Sequence, residues 1–225
     1  MSEINNTICV YDFDGTIYDG DSCRDIVKYG MKKHPILTMR ALKKAKKLNK
    51  EYEENLVSFE KVKETMLSFI FQIPNYPRFI NKFVSKHMKK IKPFYNSRKT
   101  QRDVIVSASY ELWISIFARN LGVKSVIATK TNSDGEIQGY NCKGEEKAKR
   151  ITEAFPNVTI SCAYSDSAAD IPMLNMASVA YVVEGNKLIT YRKGYNFKNV
   201  KWYLIYHFLF DIKCKQKKVD THIKI

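Results

Sequence analysis

Continuous apolar runs of strand length are the first recognisable pattern along this chain. They occur at residues 7–11, 104–106, 125–128, 160–164 and 179–183. Runs of this kind, bounded by turn residues, are typical of parallel strands that are covered on both faces. Between the later runs, helical patterns cover Glu111–Leu121, which is followed by Gly122, and residues 145–155, which end before Pro156. This alternation of strand and helix predicts a doubly wound α/β core around a parallel sheet.

The segment between the first and second apolar runs is long and helical in pattern. Residues 22–92 contain no convincing strand. We interpret this segment as a helical insertion, and its place directly after the first strand predicts a cap over the binding site of the core. The predicted division is a discontinuous core at residues 1–20 and 93–200, a helical cap at 21–92 and a basic, aromatic extension at 201–225.

The charge balance is the unusual feature of the composition. The 225 residues include 38 Lys and Arg but 23 Asp and Glu, which gives a net charge of +15. Such a chain attracts anions, and nucleic acid, an acidic lipid surface and phosphorylated small molecules all fit that description. Charge alone does not choose among these partners.

The cysteines indicate a reducing environment. They are odd in number, widely spaced and without a zinc-binding arrangement: Cys9, Cys23, Cys142, Cys162 and Cys214. Free thiols are typical of reducing compartments. Neither a signal peptide nor an apolar run of roughly 20 residues is apparent, so we predict a cytoplasmic location.

Paired carboxylates follow two of the apolar runs. Asp12 and Asp14 come directly after the first run and precede Gly15, while Asp166 and Asp170 follow the run at 160–164. Residues separated by one position project to the same side of an extended chain. At the carboxyl ends of parallel strands they face the crevice in which such sheets bind ligands. Concentrated carboxylates call for a cation, and oxygen ligands suit Mg²⁺. The plain alternative is a solvent-facing turn, since Asp and Gly are favoured there.

The order of these and other polar segments resembles a known family. Four segments resemble, in order, the motifs of the haloacid dehalogenase superfamily: Asp12-Phe13-Asp14-Gly15-Thr16, Val106-Ser107-Ala108-Ser109, Lys147 and Ser165-Asp166-Ser167-Ala168-Ala169-Asp170. Residues 105–113 and 141–144 are similar to the phosphoserine-phosphatase-like branch, subfamily IB. The resemblance covers residues 7–185 and implies a Rossmann-like core with a C1-type cap.

The resemblance assigns catalytic roles to three of the charged residues. Asp12 would be the nucleophile that attacks a phosphate monoester and forms an aspartyl-phosphate intermediate. Asp14 would protonate the leaving alcohol and then activate the hydrolytic water. Lys147 would place positive charge against the nucleophile and the phosphoryl group.

The resemblance also implies a magnesium site. The ligands would be the Asp12 and Asp166 carboxylates and the backbone carbonyl of Asp14, with Asp170 orienting Lys147 or a metal-bound water.

Substrate binding is assigned to a further group of residues. Thr16, Ser107 and Ala108 would contact phosphoryl oxygens, with Ser107 counted as catalytic as well. In phosphoserine phosphatases an acidic cap residue, usually Glu, holds the ammonium of the amino acid. Asp21 stands at that position with Arg24 nearby, although Asp21 is shorter and also suits a helix N-cap. No cap arginine clearly matches the one that holds the carboxylate in that family.

Two basic segments predict a second kind of partner. Residues 28–50 contain nine Lys or Arg and no acidic residue, and apolar positions between them indicate a basic amphipathic helix. Residues 202–210 are aromatic and apolar, with lysines on both sides. Both patterns suit an anionic membrane surface. A solvated helix face and an element docked on the core are the plain alternatives. Nucleic acid fits less well because the aromatic residues are not interleaved with basic ones.

Three functions therefore remain open from the sequence. The first is a magnesium-dependent phosphatase for a small, phosphoserine-like metabolite. The second is a peripheral membrane phosphatase for an anionic lipid phosphate such as phosphatidylglycerophosphate. The third is a non-catalytic anion-binding module. Ser165 and Ala169 replace residues that are common in the last motif, but neither position supplies a charge to the scheme.

Overall fold

A computed structural model describes residues 6–197 of the chain. The strands are β1 Thr7–Asp12, β2 Asp103–Tyr110, β3 Ser125–Thr129, β4 Thr159–Ser165, β5 Val179–Glu184 and β6 Lys187–Thr190. The helices are α1 Ser22–Lys33, α2 Pro35–Glu53, α3 Phe59–Leu67, α4 Tyr76–His87, α5 Pro93–Asn96, α6 Glu111–Leu121, α7 Glu145–Ala154 and α8 Ile171–Leu174. Short 3-10 helices cover Met88–Lys90 and Ala168–Asp170. The predicted extension at 201–225 lies outside the described residues.

The six strands form one sheet in the order β3-β2-β1-β4-β5-β6. The first five are parallel, which confirms the α/β fold predicted from the apolar runs. β1 lies inside the sheet, where Val10 pairs with Val104 on one side and Ala163 on the other. All three side chains are almost fully buried. A strand with neighbours on both edges and both faces buried favours apolar residues along most of its length, which explains the continuous apolar run.

One edge of the sheet carries an antiparallel strand that the apolar runs did not predict. β6 runs antiparallel to β5 and follows it through a tight turn in which Gly185 adopts a φ of +60°. β6 has only four residues, and each is half-buried or exposed. An edge strand this short and this accessible produces neither an apolar run nor a clear alternation.

The strand order places a crevice beside β1. The connections from β1 lead to β2 and β3 on one side, whereas β4 and β5 lie on the other, so the order reverses between β1 and β4. Open α/β sheets bind ligands outside the carboxyl ends of the strands at such a reversal. Asp12 is the last residue of β1, and Asp166 directly follows β4. The fold therefore brings both acidic segments to the same crevice.

Helices α1 to α4 lie between β1 and β2 in the sequence and pack on the core. α2 packs against α1 and α3, and α4 packs against α6. Phe83 of α4 and Phe117 of α6 meet edge to face with ring centroids 6.2 Å apart, and both are fully buried. Gly30 allows a close approach inside this layer, because a Cβ there would overlap the Phe69 ring. The helical insertion and the sheet thus share one hydrophobic core.

Candidate active site

The loop after β1 turns sharply because of Gly15. This glycine has a φ of +80°, and its amide donates to the carbonyl oxygens of Tyr18 and Gly20 at 2.9 and 2.8 Å. A Cβ at this position would overlap the carboxylate of Asp166. Glycine is therefore required here for two reasons: the backbone conformation, and the close approach of the loop after β1 to the loop after β4.

A buried charge network surrounds Asp12. Lys147 lies in the first turn of α7, and its ammonium donates to Asp12 Oδ1 at 2.6 Å and to Asp170 Oδ2 at 2.9 Å. All three side chains are at least nine-tenths buried. Ser165, at the end of β4, donates to the same Asp170 oxygen at 2.7 Å. Burial alone would lower the pKa of Lys147, but the two carboxylates outweigh it and raise that pKa above its ordinary value. Lys147 is therefore held charged between them.

Asp166 completes the acidic cluster from the other strand. The buried Thr16 hydroxyl lies between the two carboxylates, 3.1 Å from Asp12 Oδ2 and 3.3 Å from Asp166 Oδ1. It also accepts a hydrogen bond from the Asp166 amide at 3.0 Å. Thr16 thus joins the loop after β1 to the loop after β4.

Two carboxylates of the acidic cluster have raised pKa values. Burial and the charge of Asp12 raise the pKa of Asp166 to about 8. Burial raises the pKa of Asp12 to about 7, although Lys147 opposes the shift. Within residues 6–197, no three Asp, Glu, His or Cys side chains are grouped closely enough to hold a metal ion. The predicted magnesium set needs only two carboxylates and a backbone carbonyl, and oxygen ligands of these kinds suit that ion.

Asp14 points to a different set of partners. Its Oδ1 accepts from the Ser22 amide at 2.5 Å, and its Oδ2 accepts from the Ser109 hydroxyl at 2.5 Å. Burial raises the pKa of Asp14 to about 6, and the charge of Asp21 adds to the shift. Neither Ser22 nor Ser109 was among the predicted site residues. Ser109 was recognisable in principle, because it lies two residues after Ser107 on the same strand and so on the same face.

The predicted phosphate-binding residues of β2 lie at the same edge of the sheet. Val106 pairs with Asp12, so Ser107 is one residue further toward the carboxyl end. Ser107 is 1% exposed, and its hydroxyl accepts from the Ser109 amide at 3.0 Å. The carbonyl of Ala108 accepts from Lys63 Nζ at 2.5 Å and from the Thr129 hydroxyl at 2.8 Å.

The two predicted cap residues lie at the start of α1. Asp21 is the N-cap of this helix, and its Oδ1 accepts from the Arg24 amide at 2.9 Å. Asp21 is also buried, which raises its pKa, and it is close enough to Asp14 for its charge to be felt there. Arg24 has a buried Nε that has no hydrogen-bond partner among the described residues. Helix capping and proximity to the site are thus both properties of Asp21.

Two lysines near the site were missed by sequence reasoning. Lys63 of α3 is 5% exposed, and it reaches Asn141 Oδ1 at 2.8 Å as well as Ala108. Lys92, also buried, donates to the carbonyl of Gly15. Burial lowers the pKa of both ammonium groups. Among 38 Lys and Arg, no local sequence signal distinguishes these two, because their partners lie far away in the chain.

This combination of fold and site defines a class of protein. Residues 9–175 match the haloacid dehalogenase-like hydrolase family, and the chain belongs to that family. The motif resemblance noted in the sequence is thereby confirmed at the level of the superfamily.

Individual relatives resemble parts of the chain. Protein CicA of Caulobacter vibrioides is 40% identical over 86 residues, which are 35% of this chain and 39% of that protein. A probable phosphatase of Mycobacterium tuberculosis is 38% identical over 93 residues, which are 37% of this chain and 32% of that protein. The matches thus span well under half of these curated relatives. Among solved structures, a protein of unknown function from Bordetella pertussis has the same fold, with a TM-score of 0.61 and 19% identity. That similarity covers 77% of this chain and 88% of the other.

Within residues 6–197, no helix is both long enough and apolar enough to cross a membrane.

Proposed function

We propose that this chain is a magnesium-dependent phosphomonoester hydrolase that acts through an aspartyl-phosphate on Asp12. One observation carries the proposal. The Asp12 carboxylate lies at the carboxyl end of the central strand, buried, with one oxygen 2.6 Å from the ammonium of Lys147. A carboxylate in that setting is oriented and partly neutralised, yet still faces the crevice in which a ligand binds.

The first step transfers the phosphoryl group to the protein. An Asp12 oxygen attacks phosphorus, a new O–P bond forms, and the P–O bond to the leaving alcohol breaks. Asp14 gives its proton to the departing oxygen. The raised pKa of Asp14, about 6, supports this role because the carboxyl then holds a proton near neutral pH more readily than an ordinary aspartate. The Ser22 and Ser109 contacts fix the direction in which it points.

The second step returns Asp12 to its starting state. Asp14, now ionised, accepts a proton from water as that water attacks the phosphorus of the aspartyl-phosphate. The bond between phosphorus and the Asp12 oxygen breaks, and inorganic phosphate is released. The proton taken up by Asp14 restores the acid for the next turnover, so the cycle balances without any further reactant.

Other residues orient the reacting groups. Lys147 stabilises negative charge on the phosphoryl oxygens, and Asp170 positions Lys147. Ser165 holds Asp170 in turn. Ser107 and the Ala108 amide would hydrogen-bond phosphoryl oxygens from the end of β2. Thr16 was predicted to do the same, but its hydroxyl contacts Asp12 and Asp166, which supports a role in orienting these two carboxylates.

The magnesium ion would be held by the carboxylates of Asp12 and Asp166 and by the carbonyl of Asp14. When bound, it supplies positive charge that neutralises the phosphoryl oxygens. Burial raises the pKa values of both carboxylates, and a cation bound between them would offset the cost of ionising them there, which supports this assignment.

The substrate class follows from the start of the cap. Asp21 is close enough to Asp14 for its charge to act there, and Arg24 follows in the first turn of α1, so this segment offers one acidic and one basic group for a zwitterionic substituent. We therefore propose a small, phosphoserine-like metabolite as the substrate.

Release of inorganic phosphate in the presence of Mg²⁺ tests this function. The substrates would be a generic aryl phosphate, phosphoserine, several small phosphomonoesters and a short-chain phosphatidylglycerophosphate. We expect Mg²⁺-dependent turnover that disappears in Asp12→Asn. The matched control is Asp19→Asn in the same loop, because Asp19 is exposed and outside the network. Fastest turnover of the lipid phosphate would move the substrate class to lipids. A folded wild-type protein without any turnover would contradict the proposal and favour the anion-binding module.

A further inference from the structure

Helix α2 has one face that is basic and partly apolar. Its buried residues are Thr38, Ala41, Leu42 and Ala45. The side chains on the opposite side are exposed and form what we call the basic face: Ile36, Met39, Arg40, Lys43, Lys44, Lys47 and Lys50. At about 100° per residue these seven positions fall within a single arc of roughly 140°. The acidic residues of the helix come later, in its last turn.

We propose that the basic face of α2 docks the protein on the surface of a membrane that contains anionic lipids. A helix with clustered Lys and Arg on one exposed face is attracted to negatively charged headgroups. Within residues 6–197, none of the five basic side chains of this face forms a salt bridge. Their charges are therefore available to an external partner.

The apolar members of the face favour lipid over nucleic acid. Ile36 is 66% exposed and Met39 is 45% exposed, and both lie in the first turns of the helix. Apolar side chains beside basic ones gain from entering the boundary between headgroups and acyl chains. A nucleic-acid backbone offers them no such environment, and the face carries no aromatic side chain on which a base could stack.

The helix is attached to the elements that surround the candidate site. It packs against α1, which begins at Ser22 beside Asp14, and against α3, which carries Lys63. Docking through α2 would therefore bring the cap side of the molecule to the bilayer. The inference concerns binding alone and stands independently of turnover.

Vesicle binding by the full chain tests the proposal. The probe is a phosphatidylcholine vesicle with or without phosphatidylserine, and sedimentation at low and high salt is the measurement. We expect binding only to the anionic vesicles and weakening with salt, because the attraction is screened. The triple variant Lys43→Gln, Lys44→Gln, Lys47→Gln should bind about 100-fold more weakly, since each basic residue contributes about fivefold, or about 1 kcal/mol.

A second triple variant serves as the matched control. Lys99→Gln, Arg119→Gln and Lys124→Gln remove the same charge from exposed positions near the amino ends of β2 and β3. That edge of the sheet is opposite the candidate site, so we expect vesicle binding close to that of the wild type. Equal loss in the two triple variants would overturn the proposal and show that only net charge matters.

Two further comparisons separate the remaining sources of binding. Ile36→Asn should weaken binding to anionic vesicles without affecting the fold, because this side chain is mostly exposed. The triple variant Lys213→Gln, Lys215→Gln, Lys217→Gln is the second comparison. Loss of vesicle binding in this variant, with binding unchanged in the α2 triple variant, would overturn the assignment to α2. Duplex DNA tests the other anionic partner. If the protein binds DNA more tightly than the anionic vesicles, and the α2 triple variant loses that binding, the proposal of a membrane partner is overturned in favour of nucleic acid.

Discussion

The replacement of Lys147 by Met tests the buried charge network directly. Met has a similar length but removes the charge and its three donors. Lys147 is 2% exposed, so the variant leaves the carboxylates of Asp12 and Asp170 facing each other without a cation. Removing one partner of a buried ion pair destabilises a protein by about 3–5 kcal/mol.

The expected loss lies at the lower end of that range. Asp12 already has a pKa of about 7, and without Lys147 it takes up a proton at neutral pH instead of remaining as an unpaired charge. We therefore expect Lys147→Met to lower the free energy of unfolding by about 3 kcal/mol in metal-free buffer at pH 7. For a chain of this size, that loss corresponds to a decrease in melting temperature of about 6–12 °C.

Equilibrium urea denaturation measures this change. The control is Lys149→Met on the same helix, because that side chain is 61% exposed and its pair with Glu153 spans 4.0 Å. An exposed pair of this kind contributes at most about 1 kcal/mol. The double variant Lys147→Met/Asp170→Asn should regain part of the loss, since the second change removes the charge of a buried carboxylate that has lost its cation. A Lys147→Met variant within about 0.5 kcal/mol of Lys149→Met would refute the coupling of the buried charges.

Two other predictions concern stability. Gly30→Ala should destabilise the protein by about 1–2 kcal/mol, because the overlap of the new Cβ with the Phe69 ring outweighs a gain in helix propensity of about 1 kcal/mol. Thermal melts measure the change. A variant more stable than the wild type would show that α1 is not packed this closely. In metal-free buffer, the free energy of unfolding should fall as the pH rises from about 5 to about 8. The native protein binds more protons than the unfolded chain over this interval, because the pKa values of Asp14 and Asp166 are raised to about 6 and about 8. Urea denaturation at several pH values measures this dependence of the free energy of unfolding on pH. Asp14→Asn should flatten the part of the profile at lower pH. A flat profile for the wild type would contradict the raised pKa values.

The core of the fold was predictable because burial on both faces leaves a local signature. Most buried positions of β1 and β4 are apolar, and an acidic residue marks the end of each strand: Asp12 is the last residue of β1, and Asp166 directly follows β4. The end of α6 was also predictable from the local sequence, because Gly122 adopts the left-handed conformation that commonly ends a helix. In these cases the physical requirement lies within a few residues of the chain.

The parts that escaped prediction depend on contacts between distant residues. Lys63 is 45 residues from Ala108, which accepts its hydrogen bond. Ser22 contributes a backbone amide to Asp14, and an amide has no side-chain signal at all. Ser165 appeared to be a departure from the motif, yet its hydroxyl holds Asp170. Only the folded arrangement shows that this serine adds a hydrogen bond to the site.

The segments at the two ends of the helical insertion pair with each other beside the candidate site. The Asp19 amide donates to the Lys90 carbonyl at 2.8 Å, and the Lys92 amide donates to the Ile17 carbonyl at 2.8 Å. The chain thus leaves and re-enters the core as a short hydrogen-bonded pair directly beside Gly15. The ammonium of Lys92 then reaches the Gly15 carbonyl from the returning segment. Because these contacts join residues 15–19 to residues 90–92, the loop that carries the acidic pair is supported by the end of the helical insertion. An insertion after the first strand therefore fixes this loop, since it brings a second segment to the point at which the first one turns.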